Sequence, residues 1–266
     1  MNISINIRDY FKGLREVTVW SYMAIFDTKA RYKRTLLGPL WTTINGIVFI
    51  GLYSFVFPRL FKSSIDDVLA FIAAGYFVWS MISITITEIS TVLWGYGDVI
   101  KLTGTSPNTL FMRALLRNLI VFLHHLASYY FVVAFYGIYP THIILVFLTM
   151  IPVAAFVLGL GQVFAFINLR FRDVEQLLAS LILALFFFTP ILWPPQMIDP
   201  SMVGSNLPWY ILYNPFYYMI EIMREPMLGN MPSIKYLVIA CGISLVSLMM
   251  GFVSYVLHRH RVAVLA

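Results

Sequence analysis

The chain has 266 residues, of which 60% are apolar and only 11% charged, and its mean hydropathy is +0.83. Soluble domains carry about 25% charged residues, and a soluble body of this size cannot hide so much apolar side chain. A soluble enzyme, a disordered chain and a fibrous repeat are excluded, leaving an all-α polytopic membrane protein in which apolar runs of about 20 residues recur. Basic residues outnumber acidic ones by 18 to 12, but they flank the apolar runs, so membrane topology rather than nucleic acid explains the net charge of +6.

The first 38 residues are polar and charged, with no cleavable signal pattern. Within Arg8–Arg34, Tyr10, Leu14, Val17, Trp20 and Ala24 recur at helical spacing among lysines and arginines. That pattern predicts an amphipathic helix in the cytoplasmic interface, with Trp20 and Tyr22 at headgroup depth. Residues 1–38 thus form an interfacial element and residues 39–266 a six-span domain. The expected spans are Pro39–Phe57, Leu69–Leu93, Asn118–Tyr136, Ile143–Ile167, Leu177–Trp193 and Tyr236–Leu257. Gly46, Gly51, Pro152, Gly159, Gly161 and Pro190 fall inside them, as membrane helices tolerate.

Fourteen lysines and arginines lie on the side of the N-terminus, the second and fourth connections and the tail, against four on the other. The richer side is cytoplasmic, so both termini are inside. In the connection Trp94–Arg117, Gly95, Gly97 and Gly104 punctuate a stretch where Asp98–Leu102 forms a short helix. Ser106 then caps, and Pro107 opens, the next helix. On the outside, Pro194–Lys235 is rich in aromatics and broken by Pro208, Pro215 and Pro226, predicting short re-entrant or interfacial helices. The two halves show no internal repeat.

Chemistry-bearing motifs are scarce. No GxxxxGK[ST], HExxH, CxxC or GxSxG occurs, so the chain has no P-loop of its own. His124 and His125 point about 100° apart on a helix and read as helix-contact residues, with no metal site expected. Cys241, the single cysteine, reads as a small buried hydrophobe. Glu88 is the one carboxylate inside a span, either pore-facing or reaching the interface.

Four stretches together resemble the ABC-2 type permeases that export polysaccharides. They are Arg31-Tyr32-Lys33-Arg34-Thr35-Leu36-Leu37-Gly38-Pro39-Leu40-Trp41, Asn168-Leu169-Arg170-Phe171-Arg172-Asp173-Val174, Thr189-Pro190-Ile191-Leu192-Trp193-Pro194, and Asn214-Pro215-Phe216 with Arg224-Glu225. The resemblance implies a half-transporter in the cytoplasmic (inner) membrane. It would work as a homodimer with two copies of a separate ABC ATPase, which binds ATP and Mg, and this chain would hold no cofactor. The cargo implied is a lipid-linked polysaccharide of O-antigen or capsule type. The resemblance also implies an ATPase-coupling surface of Asp98, Val99, Ile100, Lys101 and Leu102 with Arg172 and Asp173. An external gate would comprise Tyr213, Asn214, Pro215, Phe216, Arg224 and Glu225. The coupling segment departs from the common Asn-Leu-Ile-Lys-Lys pattern of the family. Position on spans one, two and five makes Tyr53, Phe57, Tyr76, Trp79, Phe187 and Trp193 candidate lining residues, on which sugar faces could stack. Export of drugs or small lipids, and a membrane-embedded glycosyl- or acyltransferase, are the alternative readings.

Overall fold

The computed structural model describes residues 3–262 except 34, 37, 39, 62–64, 138, 140 and 203–205, and among these residues it contains helices and no strand. In place of one helix over Arg8–Arg34 there are two, α1 (Ile3–Arg15) and α2 (Val17–Tyr32). Glu16 breaks them with φ −73° and ψ 46°, and its carboxylate accepts a hydrogen bond from Thr109 Oγ1 at 2.7 Å. The break divides the expected stripe. Tyr10 and Ala24 are buried against the rest of the protein, while Val17 is exposed.

The bundle follows as α3 (Leu40–Phe61), α4 (Ile65–Gly95), α5 (Gly97–Thr103), α6 (Pro107–Val133), α7 (Ile143–Arg170) and α8 (Val174–Phe188). Two single-turn helices, α9 (Pro195–Ile198) and α10 (Trp209–Leu212), lead to α11 (Pro215–Met227) and α12 (Ile234–His258). Among the described residues, four helical stretches are long and apolar enough to cross a membrane: Val68–Gly95, Pro107–Val133, Ile143–Arg170 and Ile234–Arg261. The expected first and fifth spans correspond to α3 and α8, whose described apolar stretches, Thr43–Leu52 and Val174–Phe188, are shorter. α8 stops before the expected Trp193 because Thr189 is extended, with φ −96° and ψ 133°. The Pro190 ring disfavours helical backbone at the preceding residue.

α6 starts well before Asn118. Ser106 caps it, accepting from the Asn108 amide, and Pro107 fills its first turn. Its polar opening turns are sustained by the backbone of α1 and a side chain of α2: Asn108 Nδ2 donates to the Tyr10 carbonyl at 2.9 Å, and Arg113 pairs with Asp27.

Of the four helices long and apolar enough to cross a membrane, α4 is the most buried, packed by α3, α6, α7, α8 and α11. α12 lies on α7 at backbone contact. A Cβ built on Gly159 would stand 2.3 Å from the Ser247 carbonyl, and one on Gly251 would stand 2.6 Å from Gln162 Oε1. Within that contact Ser244 Oγ donates to the Pro152 carbonyl at 2.7 Å and Ser247 Oγ to the Phe156 carbonyl at 2.8 Å. Small residues and hydroxyls thus supply the adhesion that apolar burial cannot supply in lipid. Cys241 is exposed on the outer face of α12, beside exposed Val238 and Leu245. Apolar character in a lipid-facing helix does not mark burial, so the expected buried thiol is corrected.

Gly159→Leu is expected to force α7 and α12 apart, an overpacking cost of about 1–3 kcal/mol. Thermal unfolding of the purified protein in detergent should show a fall of several degrees. Gly242→Leu, where an added Cβ meets nothing within 4 Å, should leave the melting temperature unchanged.

Candidate functional site

Three polar assemblies interrupt the apolar bundle. The first is a cavity of about 470 Å³ between α2, α4, α6 and α8. Ser83, Thr87 and Thr91 line it from α4 at spacings of four, one face of the helix. Each hydroxyl donates to a carbonyl of its own helix: Ser83 to Ser80 at 3.2 Å, Thr87 to Ser83 at 2.9 Å and Thr91 to Glu88 at 3.0 Å. With the proton directed inward, the oxygens present lone pairs outward. Glu88 lines the same cavity, accepting from Asn118 Nδ2 at 2.9 Å and pairing with Arg117. Arg31 and Glu175 complete its charged rim.

The second assembly joins α1 to the starts and ends of three other helices. Ser106 Oγ donates to the Asp9 carbonyl at 3.0 Å and lies 2.9 Å from Tyr255 Oη. Tyr255 in turn donates to the Asp9 carboxylate at 2.8 Å, which also pairs with Arg259. Gln162 of α7 donates to Asn108 at 2.9 Å, and Asn6 to the Val256 carbonyl at 2.7 Å. Burial raises the pKa of Tyr10 beside this network, with a smaller opposing contribution from Gln162.

The third assembly holds α11 inside the bundle. Arg224 is 1% exposed. It donates to the Pro190 carbonyl at 2.7 Å and to Glu221 at 3.1 Å, and its guanidinium carbon lies 3.8 Å from the centre of the Phe71 ring. Gly75 admits it, since a Cβ there would be 2.5 Å from the guanidinium. Asn214 caps α11 through the Phe216 amide at 3.0 Å and donates to Thr189 Oγ1 at 2.8 Å, fastening the helix start to the end of α8.

The residues singled out from sequence fall into distinct surroundings. Tyr76 stacks on Phe49, with centroids 4.0 Å apart. Trp79 is buried between Phe186 at 5.9 Å and Phe216 at 5.6 Å. With Phe156 5.3 Å from Phe216, these rings form a chain across α3, α4, α8, α11 and α7. Phe187 is exposed and Trp193 half-buried. The side chains of Tyr53 and Phe57 lie outside the described residues. Of the six, the structure brings Tyr76 and Trp79 into one aromatic array, and exposed Phe187 touches it through Phe186, with centroids 5.3 Å apart.

In α5, Asp98, Lys101, Val99 and Leu102 are exposed, Leu102 at 86%, while Ile100 is buried. Gly104 ends the helix with φ +66°, backbone that favours glycine. Arg172 and Asp173 are exposed in the α7–α8 link. Asn168 Nδ2 donates to the Ser90 carbonyl at 3.1 Å, so that link and α5 share one end of the bundle. Of the residues around α11, Tyr213 is exposed, Asn214, Phe216 and Arg224 are buried, and Pro215 and Glu225 are intermediate.

His125 stacks on Phe77 at 4.8 Å, and His124 Nδ1 lies 2.8 Å from the Ile120 carbonyl. Among the described residues no group of three metal-ligating side chains occurs. The hydroxyl face of α4 was not singled out from sequence, although its spacing of four inside an apolar run was a legible signal. The Asp9–Ser106–Tyr255 junction joins residues too far apart in the chain for any local pattern to show.

Residues 19–228 match the family model described as ABC-2 type transporter. The chain is 29% identical over 219 residues to an O-antigen export system permease protein RfbA of Klebsiella pneumoniae, covering 79% of this chain and 80% of the relative. It is 27% identical to the RfbA permease of Myxococcus xanthus, with 75% of each chain covered. To the polysialic acid transport protein KpsM of Escherichia coli it is 24% identical, over 91% of this chain and 93% of that one.

Arg224→Met should strand Glu221, a loss of about 3–5 kcal/mol for a broken buried pair, and loosen α11. A cysteine at Ile220, 1% exposed, in a Cys241→Ser background should be inert to maleimide in the parent and reactive in the Arg224→Met variant. Equal inertness in both would show that Arg224 does not hold the helix in place.

Proposed function

Because the chain belongs to the ABC-2 type transporter family, we propose that it is the membrane-spanning subunit of a polysaccharide ABC exporter, moving a lipid-linked O-antigen- or capsule-type glycan across the cytoplasmic membrane. The relatives named as O-antigen export and polysialic acid transport proteins support this reading. Two copies form the channel about a twofold axis, since a homodimer lets one set of helices line both halves of a pore. Two ATPase subunits bind ATP and Mg. The fourteen-to-four basic asymmetry supports six spans with both termini cytoplasmic, α3 and α8 being the first and fifth.

The observation that carries the reading is α5. It is a seven-residue helix at the α1–α2 end of the bundle, ended by a left-handed Gly104 and presenting Leu102 at 86% exposure with Asp98 and Lys101 beside it. An apolar side chain set in a charged rim fits a protein groove, and Arg172 and Asp173 extend that surface. A push on α5 passes through Ser106 to α1 and α12, and through Asn108 to α7.

The cargo meets polar groups at the mouth and rings deeper in. Sugar hydroxyls donate to the outward lone pairs of Ser83, Thr87 and Thr91, each a weak contact of about 0.5–1.5 kcal/mol net. A ladder of weak contacts lets a polymer slide without a deep well. Tyr53, Phe57, Phe187 and Trp193 supply stacking faces nearer the outside. α11 closes the outer end, and Tyr213, Asn214, Pro215, Phe216, Arg224 and Glu225 form its gate.

Leu102→Asp places a carboxylate where the partner groove is apolar. The variant should insert at parental levels, fail to co-purify with the ATPase subunit and lose surface polysaccharide. Normal co-purification would move the coupling contact to Arg172 and Asp173. In a Cys241→Ser background, a cysteine at Ser201 should react with a membrane-impermeant maleimide on intact cells and one at Thr103 should not. Labelling of Thr103→Cys alone would invert the orientation.

A further inference from the structure

A cleft of about 160 Å³ lies between the last turns of α7 and α12. Its walls carry three basic side chains, Arg170, His258 and Arg261, and no carboxylate. Four other cationic side chains at that end of the bundle have carboxylate partners. Arg113 is paired with Asp27, Arg117 with Glu88, Lys12 with Glu16 and Arg259 with Asp9. Among the described residues, neither Arg170 nor Arg261 makes an ion pair.

The local geometry holds these groups toward the cleft. Arg170 lies with its guanidinium carbon 5.3 Å from the centre of the Phe171 ring, a contact that steers the side chain without neutralising it. His258 has Nδ1 3.1 Å from the Ser254 carbonyl. That hydrogen bond uses Nδ1 as donor and leaves Nε2 of the neutral ring as an acceptor, so the two guanidiniums are the donors that an anion meets. The partial negative charges of two helix C-termini, about half a unit each, offset part of the two guanidinium charges of Arg170 and Arg261 but leave an excess of positive charge.

The rest of the lining is apolar, with Val163, Phe166 and Ile167 contributed by α7. Below the cleft, α12 turns an exposed apolar strip outward through Val246, Met250 and Val253. A soluble anion would meet only the charged rim. A molecule carrying both a phosphate and an acyl chain would satisfy the rim and the strip together.

We propose that this cleft binds the phosphate headgroup of an anionic phospholipid of the cytoplasmic leaflet, with an acyl chain lying along the strip on α12. Basic pockets between membrane helices on the cytoplasmic side bind such headgroups by charge attraction. The bound lipid neutralises Arg170 and Arg261 where no carboxylate does so, and it bridges the ends of the two helices whose glycine contact, Gly159 on Gly251, lies deeper in the bundle. The site is separate from the α2–α4–α6–α8 cavity, and its occupancy does not depend on what the protein transports.

The test uses the full chain with its ATPase partner, purified in detergent and examined by native mass spectrometry with dioleoyl phosphatidylglycerol and, separately, dioleoyl phosphatidylcholine. The parent should retain phosphatidylglycerol in preference. Arg170→Gln with Arg261→Gln should weaken that retention about thirty-fold, as expected for two lost cation–lipid attractions, with phosphatidylcholine retention unchanged. Arg170→Lys with Arg261→Lys should keep the preference, and so should Lys235→Gln at the opposite end of α12. If the double glutamine variant does not insert, each single variant is read the same way, with a smaller loss expected. Undiminished phosphatidylglycerol retention in the glutamine variants would overturn the proposal. So would full displacement of the lipid by millimolar inorganic phosphate, which would make the cleft a site for a free oxyanion.

Discussion

The hydroxyl of Ser106 is the point on which the cytoplasmic half of the structure turns. It caps α6, donates to the carbonyl of Asp9 in α1 and sits against the hydroxyl of Tyr255 in α12. A glycine makes the meeting possible: a Cβ on Gly13 of α1 would stand 2.7 Å from Ser106 Oγ. In a bundle whose outer surface is lipid, apolar side chains cannot choose one neighbour over another, because the tails are as apolar as the partner helix. Hydrogen bonds and close approaches make that choice. The junction fixes the register of three helices at once, and the Arg113–Asp27 pair and the Glu16–Thr109 bond extend it along α2 and α6.

The same rule operates at the other end with a different instrument. α11 is too short to span and is surrounded by apolar protein, so its position depends on Arg224 and Asn214 finding carbonyl, carboxylate and hydroxyl partners. The carbonyl and the hydroxyl lie where α8 breaks at Thr189 and Pro190, while the carboxylate, Glu221, belongs to α11 itself. The break in one helix and the docking of another are therefore one event. The chain of rings from Phe49 through Phe186, Trp79 and Phe216 to Phe156 then packs the space between them.

Much of this was legible in the sequence wherever a local signal was strong. Composition gave the all-helical membrane class. Gly97 and Gly104 bracketed α5, Ser106 and Pro107 opened α6, and the prolines after Pro194 marked a run of short helices. The failures have physical causes. The N-terminal stripe ran through Glu16 with no Pro to stop it, Gly13 lies inside α1 and not at the break, and the break comes where Glu16 bonds Thr109. Cys241 was misread because lipid-facing and buried positions have the same apolar composition. For the candidate site, the buried positions of Asn214 and Arg224 follow from a cap and an ion pair, whereas aromatic content could not separate Trp79, packed among rings, from exposed Phe187. The hydroxyl spacing on α4 was visible but had no meaning until α8 and Arg117 were placed opposite it.

α5 is joined to its neighbours with almost no slack. Tyr96 alone separates it from α4, and three residues, Gly104 to Ser106, separate it from α6. A displacement of this helix along the membrane normal cannot be absorbed by loop rearrangement over so few bonds. It must appear as tilt or translation of α4 and α6 themselves, and Arg113, bonded to the Tyr96 hydroxyl at 2.7 Å and packed on its ring, braces the angle between them. The seven-residue helix therefore behaves as the short arm of a lever. The long arm is α4, which carries the hydroxyl face at one depth and Gly75, the seat of Arg224, at another, so a single stroke reaches both ends of the bundle.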